Sequence, residues 1–244
     1  AHSPFHFLSP LHLQTFHANM TVIDPPILGA CGPKEDWTRI SFKPDLAKFG
    51  MDALEADTIA LMRKRTFDMA GVLGGGVKVF FNGARLPVKG FKEYVGLYLP
   101  AIAGGEDGAG GGGGGEGGDG PPPLPTVHCK VGPRWEVVVA PSDGQFTQVS
   151  FVNAICTTKG GTHVNAIVDQ IARAVAESLA KKHKGCGVKP FMVKNYLAVF
   201  VNAQIVNPAF DSQTKETLTL RASSFGSKCD LPASFLKAVA DAGV

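Results

Sequence analysis

The chain has 244 residues, 44% of them apolar and 18% charged, with a formal net charge of +3, the profile of a folded chain rather than a disordered or fibrous one. No apolar run reaches the ~20 residues a membrane-spanning helix needs, so a soluble protein without a membrane partner is expected. The five cysteines, Cys31, Cys129, Cys156, Cys186 and Cys229, form no CxxC pair, which argues against a disulfide framework or a zinc site and for a reducing compartment.

The first residue is Ala1, and the opening AHSPFHFLSPLHL lacks the basic start and the cleavage site of a signal peptide. A chain that begins partway through a longer protein is expected. WTRISFKPDL then reads as a strand ended by Pro44. Asp52 and Glu55 have capping-box spacing ahead of a helix, with Leu54, Leu61, Met62 and Met69 near one face and Gly71 as its stop. Asn82-Gly83 inside VKVFFNGARLPV predicts a tight hairpin, and FKEYVGLYL a short helix. Arg63, Lys64 and Arg65 are consecutive and fan around a helix, which reads as a solvated face. Gly104 to Gly120 holds 12 glycines in 17 positions and runs into PPPLP, a flexible linker by composition. Its acidic residues and the absence of a GK[ST] oppose a phosphate loop. Net charge is +2 before residue 101, −4 over 101–125 and +5 beyond, which permits nucleic-acid contact without demanding it.

Beyond the linker, RWEVVVA and FTQVSFVNAI flank the turn PSDGQ and predict an antiparallel pair. Val164, Ile167, Val168, Ile171, Val175 and Leu179 line one face of a long helix. In YLAVFVNAQIV, Leu197, Val199, Val201, Ala203 and Ile205 alternate as in a half-buried strand, and ASFLKAVADAG closes the chain as a helix. The order β-β-α-β-loop-α predicts a compact α+β layer.

Three stretches have polar groups in positions that suit an anion. Lys159, Gly160 and Gly161 join a strand to a helix with Thr162 as its expected N-cap; the turn reads either as a tight cap or as an anion site at a helix start. Lys181, Lys182 and Lys184 crowd the end of the long helix, where they complement its dipole or neutralise DNA phosphates. In NPAFDSQTKETLTL, Gln213, Thr214 and Lys215 stand in a row on a loop that leaves a strand. Such a loop is either solvated or donates to phosphate oxygens, with lysine as a point charge and glutamine fixing geometry. His128, His163 and His183 lie far apart, Cys156 reads as a small core residue, and Tyr94, Tyr98 and Tyr196 sit in core-like patterns. No catalytic residue and no metal ligand is nominated.

The strings SFVNAICTTKGGTHVNAIVDQI, VKNYLAVFVNAQIVNPAFDSQTKETLTL and SFGSKCDL together resemble the transducer region of eukaryotic type II DNA topoisomerases. WTRISFKPDLAKFGM, DTIALMRKRTFDMAG and VKVFFNGARLPVKGFKEYVGLYL resemble the C-terminal part of that family's gyrase-type ATPase domain. The likeness runs from about Gln14 to the end, with the glycine linker as an insertion. The literal SQTKE and TTKGGTH set it apart from mismatch-repair ATPases of the same superfamily. The resemblance implies an N-terminal remnant at 1–24, the end of the ATPase domain at 25–103, a linker at 104–125 and a transducer at 126–244, the last with a left-handed βαβ crossover of ribosomal-protein type. It implies that Gln213, Thr214 and Lys215 are the loop that touches the ATP γ-phosphate, and that Lys181 and Lys182 match a basic run implicated in DNA contact, with Ala180 where relatives carry another basic residue. For the parent enzyme it implies ATP, Mg²⁺, double-stranded DNA, a homodimer and the nucleus. The family's catalytic glutamate, Mg²⁺-binding asparagine and DNA-cleaving tyrosine have no match here, so the isolated chain is expected to be inactive. A non-catalytic DNA-binding or dimerising fragment is the alternative.

Overall fold

A computed structural model describes residues 11–32, 34–103 and 124–243. Backbone contacts divide the chain between Ile59 and Ala60. The linker read at 104–125 lies outside the described residues except for its last two positions.

Before Ile59, β1 (Leu11–Leu13) pairs antiparallel with β4 (Ile27–Gly29), and β2 (Phe16–His17) with β3 (Val22–Ile23). Ala18, Asn19 and Met20 turn between the inner strands with positive φ. His17 Nε2 lies 2.7 Å from the Asp24 carboxylate, and the Gln14 amide donates to the Asp24 carbonyl at 2.6 Å. None of the described residues in this unit is buried. The strand expected over WTRISFKPDL is not formed. Trp37, Ile40 and Phe42 are exposed, and no described strand runs beside them to accept a ladder of hydrogen bonds. A single 3₁₀ turn, Leu46–Phe49, follows and ends at Gly50.

Helix α1 (Ala56–Leu73) begins three residues later than the Asp52 cap predicts, its first bond running from the Ile59 N–H to the Glu55 carbonyl. Leu54, Leu61 and Met62 are exposed, and the buried side is instead Asp68, Ala70 and Gly71. Gly71 does not stop the helix; Gly74, at φ +72°, follows its end. The Asn82-Gly83 hairpin forms between β5 (Phe80–Phe81) and β6 (Ala84–Arg85), with both turn residues at positive φ as a type I′ turn requires. The short helix is split into α2 (Phe91–Gly96) and α3 (Leu99–Ile102).

The remaining elements are β7 (Val127–Val131), β8 (Trp135–Pro141), β9 (Thr147–Val152), β10 (Ile155–Cys156), β11 (Gly160–Gly161), α4 (Thr162–Lys182), α5 (Pro190–Lys194), β12 (Leu197–Ala203), β13 (Thr217–Leu218) and α6 (Ala233–Asp241). Five strands form one sheet in the order β10-β9-β12-β8-β7. The predicted pairing of β8 with β9 is corrected by this order. β12 lies between them, antiparallel to β8 and parallel to β9, with Val199 opposite both Val139 and Gln148. The parallel β9–β12 pair is joined through α4.

β12 is also buried on both faces rather than half-buried. Leu197, Val199, Val201 and Ala203 enter a core with α4 and α6, through Ile167, Ile171, Val175, Phe235 and Val239. Ala198 and Phe200 enter a second core with Phe91, Tyr94, Val95 and Phe151. The polar counterparts that would mark a solvated face are replaced by small and aromatic residues, as expected of a central strand covered by helices on both sides.

Beneath α1 the Asp68 carboxylate is fully buried and accepts from Tyr94 Oη at 2.7 Å, Lys64 Nζ at 2.8 Å and Arg65 Nη1 at 3.1 Å. Lys64 and Arg65 are therefore partners of a buried charge, not a merely solvated face. Lys64 Nζ also lies 3.4 Å from Cys156 Sγ. Tyr94 Oη meets Tyr98 Oη at 2.7 Å; burial, and then the Asp68 hydrogen bond, push the Tyr94 phenol far above its usual range. Tyr196, by contrast, is 54% exposed and not a core residue.

Candidate anion-binding loop

β12 leads through Asn207, at φ +45°, to an isolated bridge between Phe210 and Leu218 that closes the base of a loop. Across that base the Asp211 N–H donates to the Thr217 carbonyl at 3.2 Å, and the Asp211 carboxylate accepts from the Thr217 N–H and the Ser212 hydroxyl, both at 3.3 Å. These bonds, Thr217's first, hold the Asp211 carboxyl below the usual carboxylate range. At the tip the Lys215 N–H donates to the Ser212 carbonyl at 3.1 Å, and Ser212 and Thr214 hydroxyls lie 2.8 Å apart. Lys215 itself has φ +58°, a conformation a β-branched residue would resist.

Gln213 and Thr214 are exposed, and Lys215 is partly covered with its Nζ 5.9 Å from the centre of the Phe210 ring. Among the described residues no carboxylate lies within 4.0 Å of Lys215 Nζ. The structure thus brings the three predicted residues together at one tip, with an ammonium that no acid among the described residues neutralises.

The descending limb of the loop is braced by the Lys159 turn, a relation that sequence reading missed. β11 pairs parallel with β13, Gly160 opposite Thr217 and Gly161 opposite Leu218. The Lys159 N–H donates to the Glu216 carbonyl at 3.0 Å, and Lys159 Nζ lies 2.6 Å from Glu216 Oε2. That hydrogen bond raises the Lys159 ammonium above its ordinary range. Lys159 is therefore matched with an acid, and its turn carries the loop. Thr162 is not the N-cap: Gly161 occupies that place, and the Thr162 hydroxyl donates to the Leu220 carbonyl at 2.6 Å instead. Beneath the turn, the hydroxyls of Ser150 and Thr157 lie 2.6 Å apart and Thr157 meets His163 Nε2 at 3.2 Å, all three residues buried. Burial pushes His163 down to about 4, and its Nδ1 has no partner. The signal for this bracing in the sequence is only a GG dipeptide beside a lysine; the partner strand is two residues long and its residues pair 57 positions away.

Lys181, Lys182 and Lys184 are all exposed at the end of α4. Lys182 Nζ is committed to Asp241 of α6 at 2.9 Å, while Lys181 and Lys184 have no acid within 4.0 Å among the described residues. His128, His163 and His183 are not brought into one site: His128 pairs with Glu136 and His163 with Thr157.

The family model for DNA gyrase B matches residues 122–230, the part of the chain that holds this sheet and its loop. The chain is 52% identical to DNA topoisomerase 2 of Arabidopsis thaliana and 49% identical to that of Pisum sativum, in each case over 95% of its own length and 15% of the relative's. Solved structures agree. The ATPase and transducer domains of DNA topoisomerase II from Balamuthia mandrillaris match at a TM-score of 0.78 and 41% identity, and the ATPase region of Saccharomyces cerevisiae topoisomerase II at 0.74 and 36%; each match covers 94% of this chain and 54% of the other. The chain belongs to the eukaryotic type II DNA topoisomerases, within their ATPase and transducer region, and spans about a seventh of the length of the curated relatives it matches.

Proposed function

We propose that the chain is the part of an ATP-dependent type II DNA topoisomerase that reads the nucleotide's terminal phosphate and passes its state to the rest of the enzyme. The observation that carries this reading is Lys215: a loop-tip ammonium with no acid partner among the described residues, flanked by an exposed amide and an exposed hydroxyl. ATP supplies a triphosphate whose outer oxygens carry the charge that such donors meet. Lys215 gives the charge, and Gln213 and Thr214 give directed hydrogen bonds. Contacts of this kind exist while the γ-phosphate is present and are lost with it, which makes the loop a switch. The loop follows the central strand β12 through the short connection 204–209, and in this reading that connection passes the loop's displacement to the sheet. Among the described residues no cluster of His, Cys, Asp or Glu is arranged to hold a metal, so Mg²⁺ is not assigned to residues of this chain.

In this reading residues 25–103 are the end of an ATPase domain and 126–244 the transducer, joined by 104–125. The parent enzyme is a homodimer that acts on double-stranded DNA in the nucleus. The isolated chain neither hydrolyses ATP nor cleaves DNA; turnover by the purified chain that Lys215→Ala abolishes would overturn this.

The test is lysine acylation of the purified chain, quantified by mass spectrometry with and without millimolar inorganic tripolyphosphate. Lys215 is expected to be protected at least about threefold more than Lys181, since charge-assisted contacts of ~1 kcal/mol give changes of that order. Equal protection at both, or none, refutes the reading. Lys181 and Lys184, exposed and without an acid partner among the described residues, favour a second reading for the same chain, a DNA-binding or dimerising fragment. It is tested by salt-dependent DNA binding that Lys181→Ala/Lys184→Ala weakens.

A further inference from the structure

Two acids sit on the loop that presents Lys215, and either would quench it. Asp211 is held by the Thr217 N–H and the Ser212 hydroxyl. Glu216, the next residue in sequence, is held from outside the loop by Lys159 at 2.6 Å. We propose that Lys159 is a positioning residue for anion binding: it engages the Glu216 carboxylate and so keeps it from pairing with Lys215. The inference rests on Lys215 being the anion-binding cation.

Three features support it. The two backbones are fixed side by side, through the Lys159 N–H on the Glu216 carbonyl and the β11–β13 bridge. The ion pair is thus made between residues whose backbones are already in place. Second, the Lys215 ammonium lies over Phe210 rather than near its neighbour's carboxylate, which leaves its donors for an incoming group. Third, the arrangement solves a local problem. A Lys-Glu dipeptide on a flexible loop carries no net charge, and a self-paired lysine attracts an anion less. An external lysine that takes the carboxylate restores one unit of positive charge at the tip without adding a competing cation there.

The experiment is the acylation rate of Lys215 in the 244-residue chain, without any anion, for the wild type and three variants. Lys159→Ala is expected to slow acylation of Lys215 about two- to threefold, the range of an exposed ion pair, because Glu216 then pairs with it and keeps it protonated. Lys159→Ala/Glu216→Gln restores the wild-type rate, and Lys159→Arg retains it. An unchanged or faster rate in Lys159→Ala overturns the proposal; the faster rate is also what mere loosening of the loop would give. In a second arm, the tripolyphosphate concentration for half-protection of Lys215 rises by a similar factor in Lys159→Ala and returns in the double variant. If it stays raised in the double variant, Lys159 contacts the anion itself and the positioning role is refuted. Absence of protection in the wild type sinks the anion reading, while the anion-free rates still decide whether Lys159 withholds Glu216 from Lys215.

Discussion

Replacing Gly71 by alanine sets two effects of opposite sign against each other. In the interior of a helix the change favours folding by ~1 kcal/mol, since alanine loses less backbone freedom than glycine. Here a Cβ would stand 2.5 Å from Tyr94 Cγ, 2.7 Å from Tyr94 Cβ and 2.9 Å from Tyr94 Cδ2. Those atoms are at the root of the side chain, so the ring cannot swing clear. Its far end is tied to the buried Asp68 carboxylate at 2.7 Å, and its faces meet Phe91 and Phe151. Overpacking of this kind costs ~1–3 kcal/mol. Pulling the phenol from a buried carboxylate adds roughly 1–3 kcal/mol. The clash wins, and a net loss of about 2–3 kcal/mol is expected from these terms. Urea unfolding followed through Trp135 fluorescence measures it, with Gly96→Ala as the comparison: Gly96 ends α2 with open space where its Cβ would be, and that variant should match or slightly exceed the wild type. A Gly71→Ala chain as stable as the Gly96→Ala chain would refute the packing described for Tyr94.

Other perturbations follow from the same structure. His163 is held neutral by burial with a pKa of about 4 against an ordinary 6.5. The unfolded chain therefore binds more protons between those values, so stability present above pH 6.5 is lost as pH falls toward 4, by ~3 kcal/mol in all; in His163→Leu, urea midpoints should lose that slope over this window. At Gly161, φ is +134° and a Cβ would overlap the Leu218 carbonyl oxygen and approach its nitrogen to 2.6 Å. Gly161→Ala should detach β13 from β11, read as faster amide exchange at residues 217–220 with the β12 amides unchanged. Asp241→Asn should free Lys182 from its only acid partner among the described residues, and if the cluster meets DNA the slope of log affinity against log salt steepens by about 0.9.

The elements best read from sequence were those whose determinants are local. Asn82-Gly83 needs only its own two left-handed residues to make a hairpin, and the 3.6-residue spacing from Val164 to Leu179 needs only one buried face. The failures are places where a distant partner decides. Trp37 to Lys43 carries strand-forming residues with no described strand beside it. YLAVFVNAQIV shows a period of two, yet Ala198 and Phe200 are as buried as their neighbours because α2 covers them. A glycine after a helical stretch usually marks its stop, but at Gly71 the small residue makes room for Tyr94 instead. In the loop, Gln213 to Lys215 were legible as a polar tip, but neither the freedom of Lys215 nor the engagement of Glu216 could be read without the Lys159 turn that comes 56 positions earlier.

The sheet order has a kinetic consequence. β8 and β9 are joined by five residues and lie antiparallel, yet each finds its hydrogen-bond partner in β12, which enters the chain 45 residues after β9 ends. A hairpin between β8 and β9 closes in microseconds, whereas the native ladder requires a long loop to close first. During synthesis both early strands leave the ribosome seconds before β12 does. Such a hairpin would satisfy the same backbone groups and bury some of the same valines, and it would have to open before β12 could insert. Refolding of this chain should therefore show a slow phase that accelerates, rather than slows, when the Pro141–Gln145 turn is weakened.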